Sequence, residues 1–435
     1  MRYIPTTKEI EIKMLNEIGI NSIEELLDII PDSIRIKNDL GMKKGLSELD
    51  LINEFDSLTN SINEKGNKIC FSGAGAYDHF IPTAVDFLAN RSEFYTSYTP
   101  YQAEVSQGTL QYLYEFQTMI CEITGMDISN ASLYDGGSAI AEACSLALAY
   151  SRKKKIYIST SLNPRYIEVI KTYLSYRDTE IILLKNNTPE ENDLSLIDWD
   201  NAAGIVIQSP NYFGIIEDLQ NIKSKFKNSK TQLIVTGDPF NYGILKTPGE
   251  CGADIYAGEG QVFGNYLSYG GPYLGLFAAK KHLMRKMPGR IIGKTEDLIG
   301  NEGYVLTLQT REQHIRRENA TSNICTNQGL LALRATIYLS LIGKNGFKNI
   351  ISQCFDKAHY LAKEIDKIEG FNLKYKNFIR EFVIDCRLSS EDILEKAYSH
   401  GFLLKSISNN ELLIAVTEKR SDNEISQLIN FFKSF

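Results

Sequence analysis

The feature that most constrains this chain is an alternation. Between residues 155 and 239, the short apolar runs IYIST, EIILL, GIVIQ and LIVTGDP are separated by segments of helical length near 164–176 and 218–227. Runs that are apolar at every position, not at every second one, must be covered on both faces, which predicts a mostly parallel sheet flanked by helices. The expected fold class is therefore α/β. At 435 residues and 43% apolar content, the chain has enough material for one large domain and a smaller one. From about Gly346 the pattern reads helix, strand (FNLKY), strand (EFVIDC), helix, strand (LLIAVT), helix, a compact C-terminal α/β domain. The first sixty-odd residues read as short helices, with S-x-x-E/D capping boxes at Ser22/Glu25 and Ser47/Asp50 and with Leu49, Ile52, Phe55 and Leu58 on one face. The expected divisions are a helical arm over 1–66, a large domain over 67–320, and a linking helix with the small domain over 321–435.

Charge and composition remove several classes of function. A net charge of -7 and a pI near 5.5 lack the basic footprint that nucleic acid or an anionic membrane surface requires. No run of about 18 apolar residues is present, and the charged N-terminus lacks the apolar core of a secretory signal. Seven scattered cysteines without a CxxC pair fit reduced thiols in a cytoplasmic protein. The five histidines form no metal-ligating pair, so no metal site is expected.

Several loops carry chemistry. GAGAY at 73–77 is half of a dinucleotide fingerprint, but its third glycine is missing and Glu93 does not end an apolar strand, so nicotinamide binding is disfavoured. The loop FYTSYTPYQ concentrates Tyr95, Tyr98, Thr99 and Tyr101 around Pro100, either as a binding surface or as a packed corner. Gly136, Gly137 and Ser138 form a glycine turn that opens a helix, where free backbone N–H groups suit a phosphate. Asp238 lies at the carboxyl end of a strand, where open α/β sheets bind ligands and a carboxylate can pair with a pyridinium nitrogen; the alternative is a structural turn before Pro239. TREQHIRRE brings Arg311, His314, Arg316 and Arg317 together, either to recognise a carboxylate or as a solvated charged face.

Longer motifs carry a resemblance. GAGAYDHFIP from Gly73, EFYTSYTPYQAEVSQGTLQ from Glu93, FQTMICEITGMD from Phe116, NASLYDGGSAIAEA from Asn130, PGECGADI from Pro248, YGGPYLG from Tyr269, KMPGRIIG from Lys286 and TREQHIRRENATSNICTNQ from Thr310 span nearly the whole chain. Together they resemble the P-protein family of the glycine cleavage system, and most nearly the first of two subunits where that glycine decarboxylase is split into two chains. One departure is DGGSA at Asp135, where relatives carry DGATA or DEATA, and glycine is at least as permissive of that turn.

The resemblance implies a fold type I pyridoxal-phosphate enzyme with a large and a small α/β domain. In the cofactor-bearing chain of such a pair, an NLHK-type motif supplies the Schiff-base lysine. Here the comparable residues read EGQVFG, so Gln261 stands at the lysine. Glutamine forms no imine, and Lys246, Lys280 and Lys281 lie outside that motif, so no catalytic residue is expected in this chain. Pyridoxal phosphate is expected on subunit 2, where its ring accepts the electron pair left when carbon dioxide departs. Gly136, Gly137, Ser138 and Asp238 become vestigial cofactor positions. The implied partners are subunit 2, in an alpha2beta2 assembly, and the lipoylated H-protein. Tyr95, Tyr98, Thr99 and Tyr101, with Tyr77, His79 and His314 behind them, are the residues expected to help shape the partner's site. A non-catalytic scaffold paralogue that binds a small anion is the alternative.

Overall fold

The computed structural model describes residues 6–36, 40–64, 68–184, 186–188, 191–226 and 230–435. The chain separates into two compact units, 1–66 and 67–435. The expected division at residue 66 and the Lys227 end of a helix lie outside the described residues.

The first unit contains helices Lys8–Ile18 and Glu48–Glu64 with a short turn of helix at Ile23–Leu27 between them. Thr7 caps the first helix through the Ile10 amide, and Ser47 Oγ accepts from the Asp50 amide at 3.2 Å. The box expected at Ser22 does not form: its side chain caps nothing, and Glu25 instead accepts from the Asn21 amide at 3.0 Å. Leu49, Ile52, Phe55 and Leu58 are all exposed.

The second unit is built on a seven-stranded sheet. In chain order its strands are β1 (Ile128–Ser129), β2 (Lys155–Ser159), β3 (Glu180–Leu184), β4 (Ala202–Gln208), β5 (Gln232–Thr236), β6 (Ile255–Glu259) and β7 (Gly275–Ala279). They lie in the order β1-β7-β6-β5-β4-β2-β3. Five neighbours are mutually parallel, while β7 runs antiparallel to β6 and to β1. The apolar alternation is thus realised as expected: β5 and β6 are buried at every position, and β4 at all but Gln208. Each Ile, Leu or Val so buried stabilises the fold by about 1.5–3 kcal/mol before chain entropy is counted.

Helix Gly136–Ser151 packs on this sheet, and Gly136 through Ala147 are all buried. Small side chains permit that approach: a Cβ on Gly204 of β4 would stand 3.2 Å from the Ala147 Cβ. Arg152 terminates this helix in a left-handed conformation, and Lys155 already belongs to β2. The long Gly329–Ile365 helix is interrupted at Gly343, whose φ of 57° leaves the helical region.

A four-stranded C-terminal sheet follows, with β8 (Phe371–Leu373), β9 (Glu381–Cys386), β10 (Lys405–Ser408) and β11 (Glu411–Ala415) in the order β8-β9-β11-β10. Ile69–Cys70 pairs in parallel with Phe402–Leu403, which ties the chain just before GAGAY to the C-terminal elements. That tie, and β9 itself, bring two distant segments of sequence to the carboxyl ends of β5 and β6.

Candidate functional site

At those strand ends lies a pocket lined by Gly75, Tyr77, Asp238, Glu259, Arg380 and Glu381, among others, with a volume of about 30 Å³. A space of that size holds one or two water molecules, not an aromatic ring with a phosphate. Tyr77, Glu259, Arg380 and Glu381 in its walls are buried, and a buried charge is costly unless it finds a partner.

Glu259 ends β6 and turns its carboxyl toward the N-terminus of helix Gly136–Ser151. Its Oε2 accepts from the Gly136 amide at 2.9 Å, and its Oε1 accepts from the Gln261 and Leu274 amides, each at 2.9 Å. Burial pushes this carboxyl up to about 8, against those N–H donors. The helix opens at Gly136, with Asp135 as its cap, two residues before the expected start at Ser138. The Ser138 amide donates to Asp135 Oδ1 at 2.7 Å and the Asp135 amide to Ser138 Oγ at 3.2 Å, a reciprocal capping box. The donors at this turn named here therefore all have acceptors within the chain.

Asp238 follows β5 and accepts from the Phe240 amide at 3.1 Å through Oδ1, as the turn reading anticipates, while Oδ2 is ion-paired with Arg380 Nη2. The Arg380 side chain is 2% exposed. Its guanidinium lies 3.9 Å from the centroid of the Tyr77 ring, and Nη1 donates to His79 Nε2. His79 consequently carries its proton on Nδ1 and donates it to Glu418 Oε2 at 2.6 Å. Burial works against the Glu418 charge, but the His79 contact and backbone N–H donors, Phe80's among them, together outweigh it and hold that carboxyl down to about 2. Glu381 accepts from the Ala74 amide at 2.6 Å and from the Tyr77 hydroxyl at 2.9 Å, and burial pushes it up to about 7. The close approach requires glycine at 73, where a Cβ would stand 2.0 Å from Glu381 Oε1.

Gln261 is 1% exposed. Its Oε1 accepts from the Tyr77 amide at 2.9 Å, and its Nε2 donates to the carbonyls of Tyr77 at 3.1 Å and Asn265 at 2.7 Å. This two-way clasp uses both ends of an amide. A lysine has no acceptor and would leave the buried Tyr77 N–H unpaired.

Of the residues singled out from sequence, Tyr77 and Asp238 line this pocket, Gln261 and Gly136 are hydrogen-bonded to its lining residues Tyr77 and Glu259, and His79 lies behind, on Arg380. The others do not line the pocket. Tyr95, Tyr98 and Tyr101 are exposed by 63%, 76% and 73%, while Thr99 between them is buried with no partner for its hydroxyl among the described residues. The His314 side chain is 57% exposed, 3.7 Å from Glu312. Arg311 is half-buried and donates Nη1 to the Met287 carbonyl. Lys246 reaches Gln220 at 3.3 Å and Lys280 lies 3.9 Å from Asp127, both away from the pocket. Glu259, Arg380 and Glu381 escaped the sequence reading; their signal was a charge at each end of an apolar run, in YAGE and in REFVI.

His79, Cys354 and Glu418 offer three potential metal ligands within 4.8 Å of one another. The His79 Nδ1 proton is already committed to Glu418, and burial pushes the Cys354 thiol up to about 12, so the trio reads as a hydrogen-bonded chain.

An α/β scaffold with its pocket at the carboxyl ends of parallel strands defines a ligand-binding class of fold. Comparison with known proteins is specific. The model of the family described as glycine cleavage system P-protein matches residues 1–432. The chain is 46% identical to the probable glycine dehydrogenase (decarboxylating) subunit 1 of Chloroherpeton thalassium, over 100% of this chain and 99% of that protein. It is 45% identical to the protein of the same name from Carboxydothermus hydrogenoformans, over 99% and 98%. A crystal structure of glycine decarboxylase (P-protein) in inhibitor-bound form superposes with a TM-score of 0.87 at 34% identity, over 100% of both chains. The chain belongs to the glycine cleavage system P-protein family. A Lactobacillus brevis glutamate decarboxylase, at 13% identity and a TM-score of 0.66 over 92% of this chain and 95% of that one, shares the fold. Among the described residues no helix is long and apolar enough to cross a membrane.

Proposed function

We propose that this chain is subunit 1 of a two-chain glycine decarboxylase, a glycine dehydrogenase (decarboxylating) that becomes active only with its homologous partner. The pair releases the glycine carboxylate as carbon dioxide and passes the remaining aminomethyl group to the lipoyl arm of an H-protein, in the cytoplasm. Pyridoxal phosphate, which accepts the electron pair during decarboxylation, belongs to the partner chain. The names of the full-length relatives support the two-chain reading. The observation that supports the placement of the cofactor is that no lysine is among the residues lining the pocket: set residue for residue against NLHK, EGQV puts Val262, which lines it, at the lysine, and not Gln261 as the sequence reading had it.

This chain's contribution to the partner's site is assigned to the tyrosine loop. Tyr95, Tyr98 and Tyr101 present aromatic faces and hydroxyls to the outside, the combination that packs well at an interface. Tyr77 and His79, by contrast, spend their polar atoms inside this chain. The apolar face of the arm at Leu49, Ile52, Phe55 and Leu58 suits the same role, and an alpha2beta2 assembly accommodates both.

The test is exchange of labelled bicarbonate with the glycine carboxyl carbon, measured for this chain alone, the partner alone, and both mixed. Exchange is expected only in the mixture. Exchange by this chain alone, or a cofactor fixed to it by borohydride, overturns the reading.

A further inference from the structure

The motif TREQHIRRE takes no part in the pocket at the strand ends, yet one of its cations has donors to spare. Arg311 follows the strand Glu302–Thr307 in a turn at Gln309–Arg311. With Lys286, Met287, Glu312, Thr321 and Ser322 it lines a separate cavity of about 10 Å³. Its guanidinium is used at one corner only: Nη1 donates to the Met287 carbonyl, while Nε and Nη2 are buried without a hydrogen-bond partner among the described residues. Those two nitrogens form the edge whose N–H bonds run side by side, the edge that takes both oxygens of a planar carboxylate-type anion. Burial draws Arg311 down to about 10, so it is still a cation at neutral pH.

Glu312 beside it has the complementary gap. Its side chain is 10% exposed, and its Oε1 is buried with no donor among the described residues. Two basic side chains, Arg311 and Lys286, thus face one acidic side chain across the cavity, a balance that suits a monoanion. The space holds about one water, which restricts the ligand to the smallest planar oxyanions and requires the turn to give way slightly on entry. That turn lies between Leu308 and Arg317, two residues other than glycine held at φ 54° and 52°, where backbone strain is stored. We propose that Arg311, Glu312 and Lys286 form a binding site for bicarbonate, whose two oxygens accept from Nε and Nη2 of Arg311 and whose O–H donates to Glu312 Oε1. Formate has the two oxygens but no proton for Glu312, and chloride has neither. The site is argued from its own donors and acceptors and does not depend on the two-chain reading.

The test titrates the full chain alone with sodium bicarbonate, sodium formate and sodium chloride at fixed pH and ionic strength, followed by thermal shift. Wild type should show a saturable rise in melting temperature with bicarbonate, a weaker response to formate and none to chloride. Arg311→Lys keeps the charge but loses the paired N–H edge, and should weaken bicarbonate binding by about tenfold or more. Glu312→Ala should bind bicarbonate no better than formate. The wild-type titration needs no variant to fold: if bicarbonate raises the melting temperature no more than chloride does, the site is overturned. Equal bicarbonate affinity of wild type and Arg311→Lys overturns the assignment of Arg311. A wild type that binds formate as well as bicarbonate, or a preference for bicarbonate that survives Glu312→Ala, overturns the part given to Glu312. Because the partner chain is absent from the titration, each of these outcomes is separate from the fate of the two-chain reading.

Discussion

Two regions of this molecule use tyrosine in opposite ways. In the pocket, Tyr77 is 6% exposed, its hydroxyl donates to Glu381 and its ring faces Arg380. In the loop after Phe94, Tyr98 and Tyr101 are 76% and 73% exposed. In the first, the hydroxyl, N–H and carbonyl of Tyr77 all find partners within the chain. The second leaves amphipathic rings without a cover. The contrast teaches that one residue type serves the interior where its polar atoms are paired and the surface where they are left to solvent.

The sharpest way to break the contrast is to cut the buried Arg380–Asp238 ion pair. Arg380→Met leaves Asp238 buried without its partner, and the expected loss is about 3–5 kcal/mol of unfolding free energy, read by denaturant titration. A loss below about 1 kcal/mol would show the ion pair to be dispensable. Tyr98→Ala should do the reverse. It lowers glycine–bicarbonate exchange of the mixed chains by about tenfold, as for an aromatic anchor at an interface, and leaves the melting of this chain unchanged. Full activity of both Tyr98→Phe and Tyr101→Phe would remove their hydroxyls from the argument.

A smaller effect concerns pH. The Glu259 carboxyl is raised by burial from 4.5 to about 8, so between those values the folded chain holds a proton that the unfolded chain has released. Its contribution to stability is therefore fully present below about 4.5 and is lost as pH rises towards 8. Glu259→Gln should flatten the decline in melting temperature across that range, and an unchanged slope would assign the titration to other buried acids such as Glu381, Glu142 and Glu217, each raised to about 7. The smallest expected effect is Tyr95→Phe, which should move stability by less than about 0.5 kcal/mol in calorimetry of this chain alone.

Much of the scaffold was legible because it depends on periodicity. Runs such as GIVIQ and LIVTG have no polar face to offer water, and they became central parallel strands. Asp238 could be placed at the end of the second of those strands by the same logic. Ser22 was misread because a capping sequence states an opportunity, and there the Glu25 carboxyl turned to the Asn21 amide instead. Arg380 was invisible for a different reason. Its partners Asp238 and His79 lie 142 and 301 positions away in sequence, and only the folding of β9 over the large sheet brings them within reach. Local pattern carries no trace of such an encounter, so a buried charge at the mouth of an apolar run reads as an ordinary strand end.

The Arg380–Asp238 pair also bears on supply. A fold type I chain whose site is completed by a vitamin B6 derivative depends on nutrition for its final shape. Under the proposed division of labour, this chain closes the same region with its own ion pair and its maturation would not wait on the vitamin, whereas its partner would stay empty in a starved cell.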